Sequence, residues 1–276
     1  MPNKIPQAIY AIIGGSSTFS IKFPEALGGS DVEVLEDGLV FETPFGDSPP
    51  FKFFKVGEKL VLTCKMHGWR QGVTRADASR QVFWVFREAG VKNILAEGGV
   101  GAVNHLLNLR DIVIPTDYID NSVRKDVSLD SDYLLIMRKA ICPNLHGNLL
   151  EAAKKFASSR VFERGIYAVT DGRHFESPAE VAVLKQWGAD IVGQSICPEI
   201  YLAREIGACY AGAYLVVNYA EGIVEDWKHE DLSKIFYNES EIVGKILLEA
   251  LRSIGNNIST CECASLRKPT LLKESD

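Results

Sequence analysis

The stretch from Trp187 to Tyr219, WGADIVGQSICPEIYLAREIGACYAGAYLVVNY, constrains the fold more than any other part of the chain. Ala189 to Gly193 is a short apolar run that opens into Gln194 and Ser195, the pattern of a buried strand with a polar end. Pro198 stands where a helix begins, Glu199 complements the positive end of its dipole, and Gly207 stops it. Ala208 to Val217 is a second apolar run, closed by Asn218. Strand, helix and strand in this order predict an α/β fold. The carboxyl edge of such a sheet, where Gln194, Ser195 and Asn218 stand, is where α/β proteins bind ligands. The same residues also read as ordinary loop polars, and this stretch alone does not choose.

Strands alternating with helices continue through the chain, with no low-complexity linker and no internal repeat, so residues 1–276 read as one domain with a C-terminal tail at 255–276. A hydrophobic content of 46% is enough for a full core. The net charge of −6, with no basic cluster to offset it, argues against a nucleic-acid partner. No apolar run has the length of a bilayer span, and Ala8 to Ile13 is too short for a signal peptide, so no membrane partner and a cytoplasmic location are expected. The six cysteines fall mostly in apolar segments and suit buried thiols. Cys261-Glu262-Cys263 is the exception. Two cysteines one residue apart can chelate a metal or exchange disulfides, but no second pair lies at zinc-site spacing, and no metal is expected.

Several strand ends carry polar or glycine-rich residues. Ala8 to Ile13 runs into Gly14-Gly15-Ser16-Ser17, where backbone N–H groups and hydroxyls can approach an anion. This turn lacks the Lys-Ser/Thr of a Walker loop and the third glycine of a dinucleotide fingerprint, so neither ATP hydrolysis nor nicotinamide chemistry is favoured. Between Asp31 and Leu62 the pattern, broken at Asp37-Gly38 and at residues 44–50, predicts a pair of hairpins. Leu60 to Cys64 is a strand followed by Lys65-Met66-His67-Gly68, placed either to meet an anionic ligand or to form a solvated turn. A helix over 77–89 leads to a strand at 91–96, and Glu97-Gly98-Gly99-Val100-Gly101 reads as a further glycine-rich strand end. After a strand at 165–170, Phe175 and Glu176 read either as a clamp for a flat heterocycle or as a core aromatic and a helix cap. Further helices are expected over 145–158, 179–187 and 231–254.

Together these pieces resemble the trimeric purine nucleoside phosphorylase and 5′-methylthioadenosine phosphorylase family. The resemblance rests on IIGGSS at 12–17, TPFG at 43–46, HG at 67–68, GGVGAVN at 98–104, DIVIPTDYID at 111–120, DGRHFESPAE at 171–180 and the 187–207 block, and it spans roughly residues 8 to 255. It implies a mixed β-sheet flanked by helices, a homotrimer or dimer of trimers, and a reaction in which phosphate attacks C1′ of a nucleoside while the purine leaves. Phosphate is then a co-substrate, and no other cofactor is expected. It implies phosphate binding by Ser16, Lys65, His67, Gly98, Gly99 and Ser195, ribose binding by Gln194, and base binding by Phe175, Glu176 and Asn218, with Asn218 and His67 as the catalytic pair. Methylthioadenosine phosphorylases resemble the chain but place aspartates at the positions of Asn218 and Ala220. An amide can donate to the O6 of a 6-oxopurine where a carboxylate would repel it, so inosine, guanosine or methylthioinosine is favoured over methylthioadenosine.

The chain departs from the family pattern at the phosphate site. Lys65-Met66 replaces the expected arginine, Gly98 replaces a threonine or asparagine, and Arg75 and Arg80 are unusual where they stand. Glu97 adds a carboxylate that must point away from an anion or pair with Lys65, Arg70, Arg75 or Arg80. Two alternatives follow: a nucleoside hydrolase in which Glu97 positions water, and a purine binder without turnover.

Overall fold

The computed structural model of the chain describes residues 4–27, 29–66, 70–255 and 261–270. Its first strand, β1 (Tyr10–Gly14), is buried on every residue, and the polar residues after it form the short helix α1 (Ser16–Phe19). The strands β2 (Val32–Leu39), β3 (Phe51–Val56) and β4 (Lys59–Lys65) make an antiparallel meander, which is the expected pair of hairpins. Asp37-Gly38 does not turn the chain as expected. It lies within β2, where the register against β3 slips.

Helix α2 (Arg75–Glu88) is capped by Thr74, whose side chain accepts from the Asp77 N–H at 3.0 Å. Its apolar face, Val82, Phe83, Val85 and Phe86, is wholly buried, and Phe86 meets Phe51 and Phe83 edge-on at 5.9 and 5.5 Å. Burial of each such side chain contributes about 1.5–3 kcal/mol. The chain then runs through β5 (Asn93–Ala102), β6 (Ile112–Val113), β7 (Asp117–Asp120), β8 (Tyr133–Leu135), α3 (Pro143–Phe156), β9 (Val161–Phe162) and β10 (Ile166–Val169). It closes with α4 (Pro178–Gln186), β11 (Ile191–Gly193), α5 (Ile196–Glu205), β12 (Cys209–Tyr219), α6 (His229–Ser253) and β13 (Arg267–Pro269).

Eleven strands form one mixed sheet in the order β2-β3-β4-β1-β5-β11-β10-β7, with β12 added against β5 and β6, and β9 beyond β6; β13 pairs with β8 separately. Helices α2 and α5 pack together, as do α3 and α6, flanking the sheet. The expected fold class, a mixed β-sheet flanked by helices, is thus the observed one.

One detail positions the site. On one side β5 is paired throughout with β12, but on the other it has two partners in succession. Parallel β1 accompanies it as far as Ala96, and antiparallel β11 takes over at Gly101. Between these partners, residues 97–100 have an open edge. A reversal of strand partners of this kind leaves a crevice at the sheet's centre. The glycine-rich stretch expected as a strand end is therefore part of β5 itself, and the open edge, not a loop, exposes its backbone.

Candidate active site

The crevice beside β5 is a cavity of about 350 Å³, within the usual range for small-molecule sites. Ser16, Gly98, Gly99, Ser195, Gln194, Phe175, Glu176 and Asn218 all line it. The structure therefore brings together, from α1, β5, β11, β12 and the loop after β10, most of the residues expected to act together. Two expected residues are not among them. His67 lies outside the described residues. Lys65 is exposed at the end of β4, and its ammonium sits 4.9 Å from the Phe19 ring centroid, away from the cavity lining. Lys65, expected to supply the anion's charge, does not line the crevice in this structure, because strand alternation turns the buried Cys64 and the exposed Lys65 to opposite sides.

Among the described residues the cation that lines the cavity is Arg75, at the first turn of α2. Its Nη2 donates to the carbonyl of Gln194 at 2.7 Å, which places the guanidinium beside Ser195. Burial first, and then the like charge of Arg124, pull its pKa below the ordinary arginine value. The sequence showed Arg75 as a departure from the family pattern and a possible partner of Glu97, not as a cavity residue, because its approach to Gln194 spans 119 positions.

Of the two expected options, Glu97 takes the first and points away from the cavity. It is fully buried, does not line the cavity, and its Oε1 accepts from the N–H groups of Gly15 and Thr18 at 2.6 and 3.0 Å and from the Thr18 hydroxyl at 2.9 Å. The carboxylate thus pins the β1–α1 turn to β5. Two backbone donors of the turn that the sequence offered to an anion are already used, and Ser16 is the turn residue left facing the cavity. A hydrolytic water positioned by Glu97 has no support in this geometry.

Ser195 is held from below. Its Oγ lies 3.1 Å from the Tyr167 hydroxyl, and its N–H donates to the same oxygen at 3.4 Å. Burial raises the Tyr167 pKa well above its ordinary value, so the phenol stays protonated. Tyr167 also packs edge-on against Tyr214 at 4.8 Å. A Cβ built at Gly98 would lie 3.4 Å from Ser195 Oγ, so this serine and the open stretch of β5 face each other. At Gly99 a Cβ would come within 2.4 Å of the Phe236 ring, and only glycine lets α6 close over β5 here. Gln194 lies across Gly172, whose φ is +73° and whose Cβ would fall 1.9 Å from Gln194 Oε1.

At the other end of the crevice, the register of β12 slips between Val216 and Asn218, and this bulge delivers Asn218 opposite Gly101. Asn218 is buried, and its Nδ2 donates one hydrogen to the carbonyl of Tyr219 at 2.9 Å, leaving a second for a ligand. Glu176 is also buried and accepts a short hydrogen bond from Thr170 Oγ1. It does not cap α4, because Ser177 does so in a reciprocal capping box with Glu180. Phe175 is half exposed, and its ring lies 4.4 Å from that of Trp227 at 51°. The clamp reading of Phe175 and Glu176 therefore fits their placement, and the core-and-cap reading does not. Trp227, Leu232 and Phe236 complete an apolar wall that the sequence reading missed. Their only sequence signal is their position before and within the long closing helix.

Residues 10–252 match the family model described as the phosphorylase superfamily. The chain belongs to that superfamily. It is 32% identical to a probable S-methyl-5′-thioinosine phosphorylase of Methanopyrus kandleri, over 80% of this chain and 88% of that one. It is 30% identical to the 6-oxopurine nucleoside phosphorylase of Pyrococcus furiosus, over 94% and 97% of the two chains. Among solved structures, a methylthioadenosine phosphorylase sourced from an antarctic soil metagenomic library superposes with a TM-score of 0.81 at 22% identity, covering 94% of this chain and 91% of that one. That likeness establishes the shared fold.

Proposed function

We propose that the protein is a phosphorolytic purine nucleoside transferase acting on 6-oxopurine nucleosides. The observation that carries this reading is the single crevice in which an anion cradle and a purine-edge clamp lie along the same strand. Ser16, Arg75, Ser195 and the open backbone of Gly98 and Gly99 make the cradle. Asn218 stands opposite Gly101, three residues further along β5, which corresponds to about 10 Å. That spacing suits a phosphate at one end and a purine at the other, with the sugar between them over Gln194.

In this arrangement Glu176 accepts from the N1–H of the base and the second Nδ2 hydrogen of Asn218 donates to O6 or N7. As the C1′–N9 bond breaks, its electron pair stays with the purine and the sugar takes on oxocarbenium character. Asn218 meets the charge that builds on the base, and phosphate held by Arg75 and Ser195 completes the new bond to C1′. No protein nucleophile is required. The relatives from Methanopyrus kandleri and Pyrococcus furiosus, both named for 6-oxopurine substrates, favour the same substrate class. The apolar side chains of Leu232 and Phe236 in the cavity wall favour an uncharged, apolar 5′ group, such as a methylthio group, over a phosphorylated one. A homotrimer is part of the proposal, on the family resemblance.

The test is purine release from inosine, guanosine, methylthioinosine and methylthioadenosine, with and without phosphate, followed by identification of the sugar. The expected result is phosphate-dependent release from the 6-oxopurine nucleosides with a sugar 1-phosphate as product. Free ribose, or release at the same rate without phosphate, would overturn the reading.

A further inference from the structure

The cysteine pair in the tail has partners that sequence spacing did not reveal. Cys142 occupies the N-cap of α3, Cys209 is the first residue of β12, and Cys261 and Cys263 lie in the C-terminal segment. Their four sulfur atoms all lie within 4.8 Å of one another. No second pair lies at zinc-site spacing in the sequence, as expected, but the fold supplies one, so the expectation of no metal site there is reopened. The second pair consists of two single cysteines, far apart in sequence and joined only where α3 and β12 meet, with the Cys142 N–H donating to the Tyr210 carbonyl at 2.8 Å.

We propose that Cys142, Cys209, Cys261 and Cys263 form a closed tetrahedral zinc site that fastens the C-terminal segment to α3 and β12. Four thiolates around one centre are the donor set of structural zinc. A Zn–S bond of about 2.3 Å in tetrahedral geometry sets the sulfurs about 3.8 Å apart. The observed cluster brackets that value, from 3.3 Å between Cys209 and Cys261 to no more than 4.8 Å. Cys209 is in reach of each of the other three thiols, so the four form one cluster and not two separate pairs. The structure joins none of the six cysteines by a disulfide. Zinc binding needs only the loss of thiol protons to solvent, whereas two disulfides would need an oxidant to accept four electrons.

The surroundings suit a fixed, negatively charged centre. Cys142, Cys209 and Cys263 are buried. Arg204, itself buried, donates to the carbonyl of Cys263 at 2.9 Å and to that of Lys139 at 3.0 Å. Lys139 pairs with Glu262 at 3.2 Å, between the two tail cysteines. Pairing of β13 with β8 holds the chain just beyond the cluster. Outer contacts of this kind orient metal ligands. None of the four cysteines lines the nucleoside crevice, so the site's role is to secure the tail.

The experiment uses the full chain, purified under reductant without a metal-affinity tag. Elemental analysis is expected to find one zinc per chain. After removal of the metal, added Zn²⁺ should rebind and protect the cluster from a thiol reagent, and Co²⁺ should give the thiolate charge-transfer and d–d absorption of a tetrahedral sulfur site. The variant Cys261→Ser, in the half-buried tail position, should weaken zinc binding by roughly 100-fold while leaving nucleoside cleavage at saturating substrate unchanged. The cobalt spectrum of the unsubstituted protein reads out the site even if that variant folds poorly. Thiols equally reactive with and without zinc, disulfides between these cysteines under reductant, or iron in place of zinc would each overturn the proposal.

Discussion

On the proposed reading Asn218 and Arg75 divide the chemistry between them, and each makes a prediction. Replacing Asn218 by aspartate puts a carboxylate against O6 of the base while preserving shape. For Asn218→Asp, kcat/KM on inosine is expected to fall by roughly 100-fold, about the worth of a lost charge-assisted contact plus repulsion, while 6-aminopurine nucleosides lose much less. Steady-state kinetics on the two substrates measure this, and an equal loss on both would remove Asn218 from base recognition. Arg75→Ala is expected to raise the KM for phosphate roughly 10- to 100-fold with a much smaller change in the KM for nucleoside. Arg75→Lys should recover only part, because an ammonium lacks the bidentate fork. Initial rates over a phosphate series check both. The placement of Glu176 and Asn218 in the crevice was legible in the sequence because each sits in a contiguous motif beside a recognisable strand. Glu97 was not: its charge beside a glycine run suggested conflict with phosphate, and only the approach of β1 to β5 showed it bonded to Gly15 and Thr18.

Among the elements, β5 and β12 do most to build the crevice, and α4 carries the loop that holds Phe175 and Glu176. The capping box of Ser177 and Glu180 fixes where that loop ends and α4 begins. For Ser177→Ala, a loss of about 1 kcal/mol is expected, read as a fall in Tm of about 2–4 °C by calorimetry. Because the loop preceding Ser177 carries Glu176, the same variant should raise the KM for nucleoside more than that for phosphate. Helices and strands were largely legible: the apolar period of α2 and the apolar run of β12 needed no tertiary information. The glycines of β5 misled because glycine reads locally as a breaker, whereas here it permits Phe236 and Ser195 to approach a continuing strand.

For the whole molecule, the expected assembly is a trimer. Val123, Leu106 and Leu134 are exposed apolar side chains that a neighbouring subunit would have reason to cover. Light scattering is expected to give three times the 30.5 kDa chain mass, and a monomer at micromolar concentration would contradict it. Among the described residues no helix is long and apolar enough to cross a membrane. The sequence by itself determined the fold class, the order of strands and helices, and the strand-end motifs that meet in the crevice, because hydrophobic period, caps and strand-end polars are local properties of the chain. Tertiary structure alone decided which cation lines the crevice, that Glu97 is a bolt within the fold, and that four cysteines share one point. Each of these depends on distances between segments tens to more than a hundred positions apart, and such distances are fixed by how the sheet changes partners along β5 and how the tail docks, which no local pattern encodes.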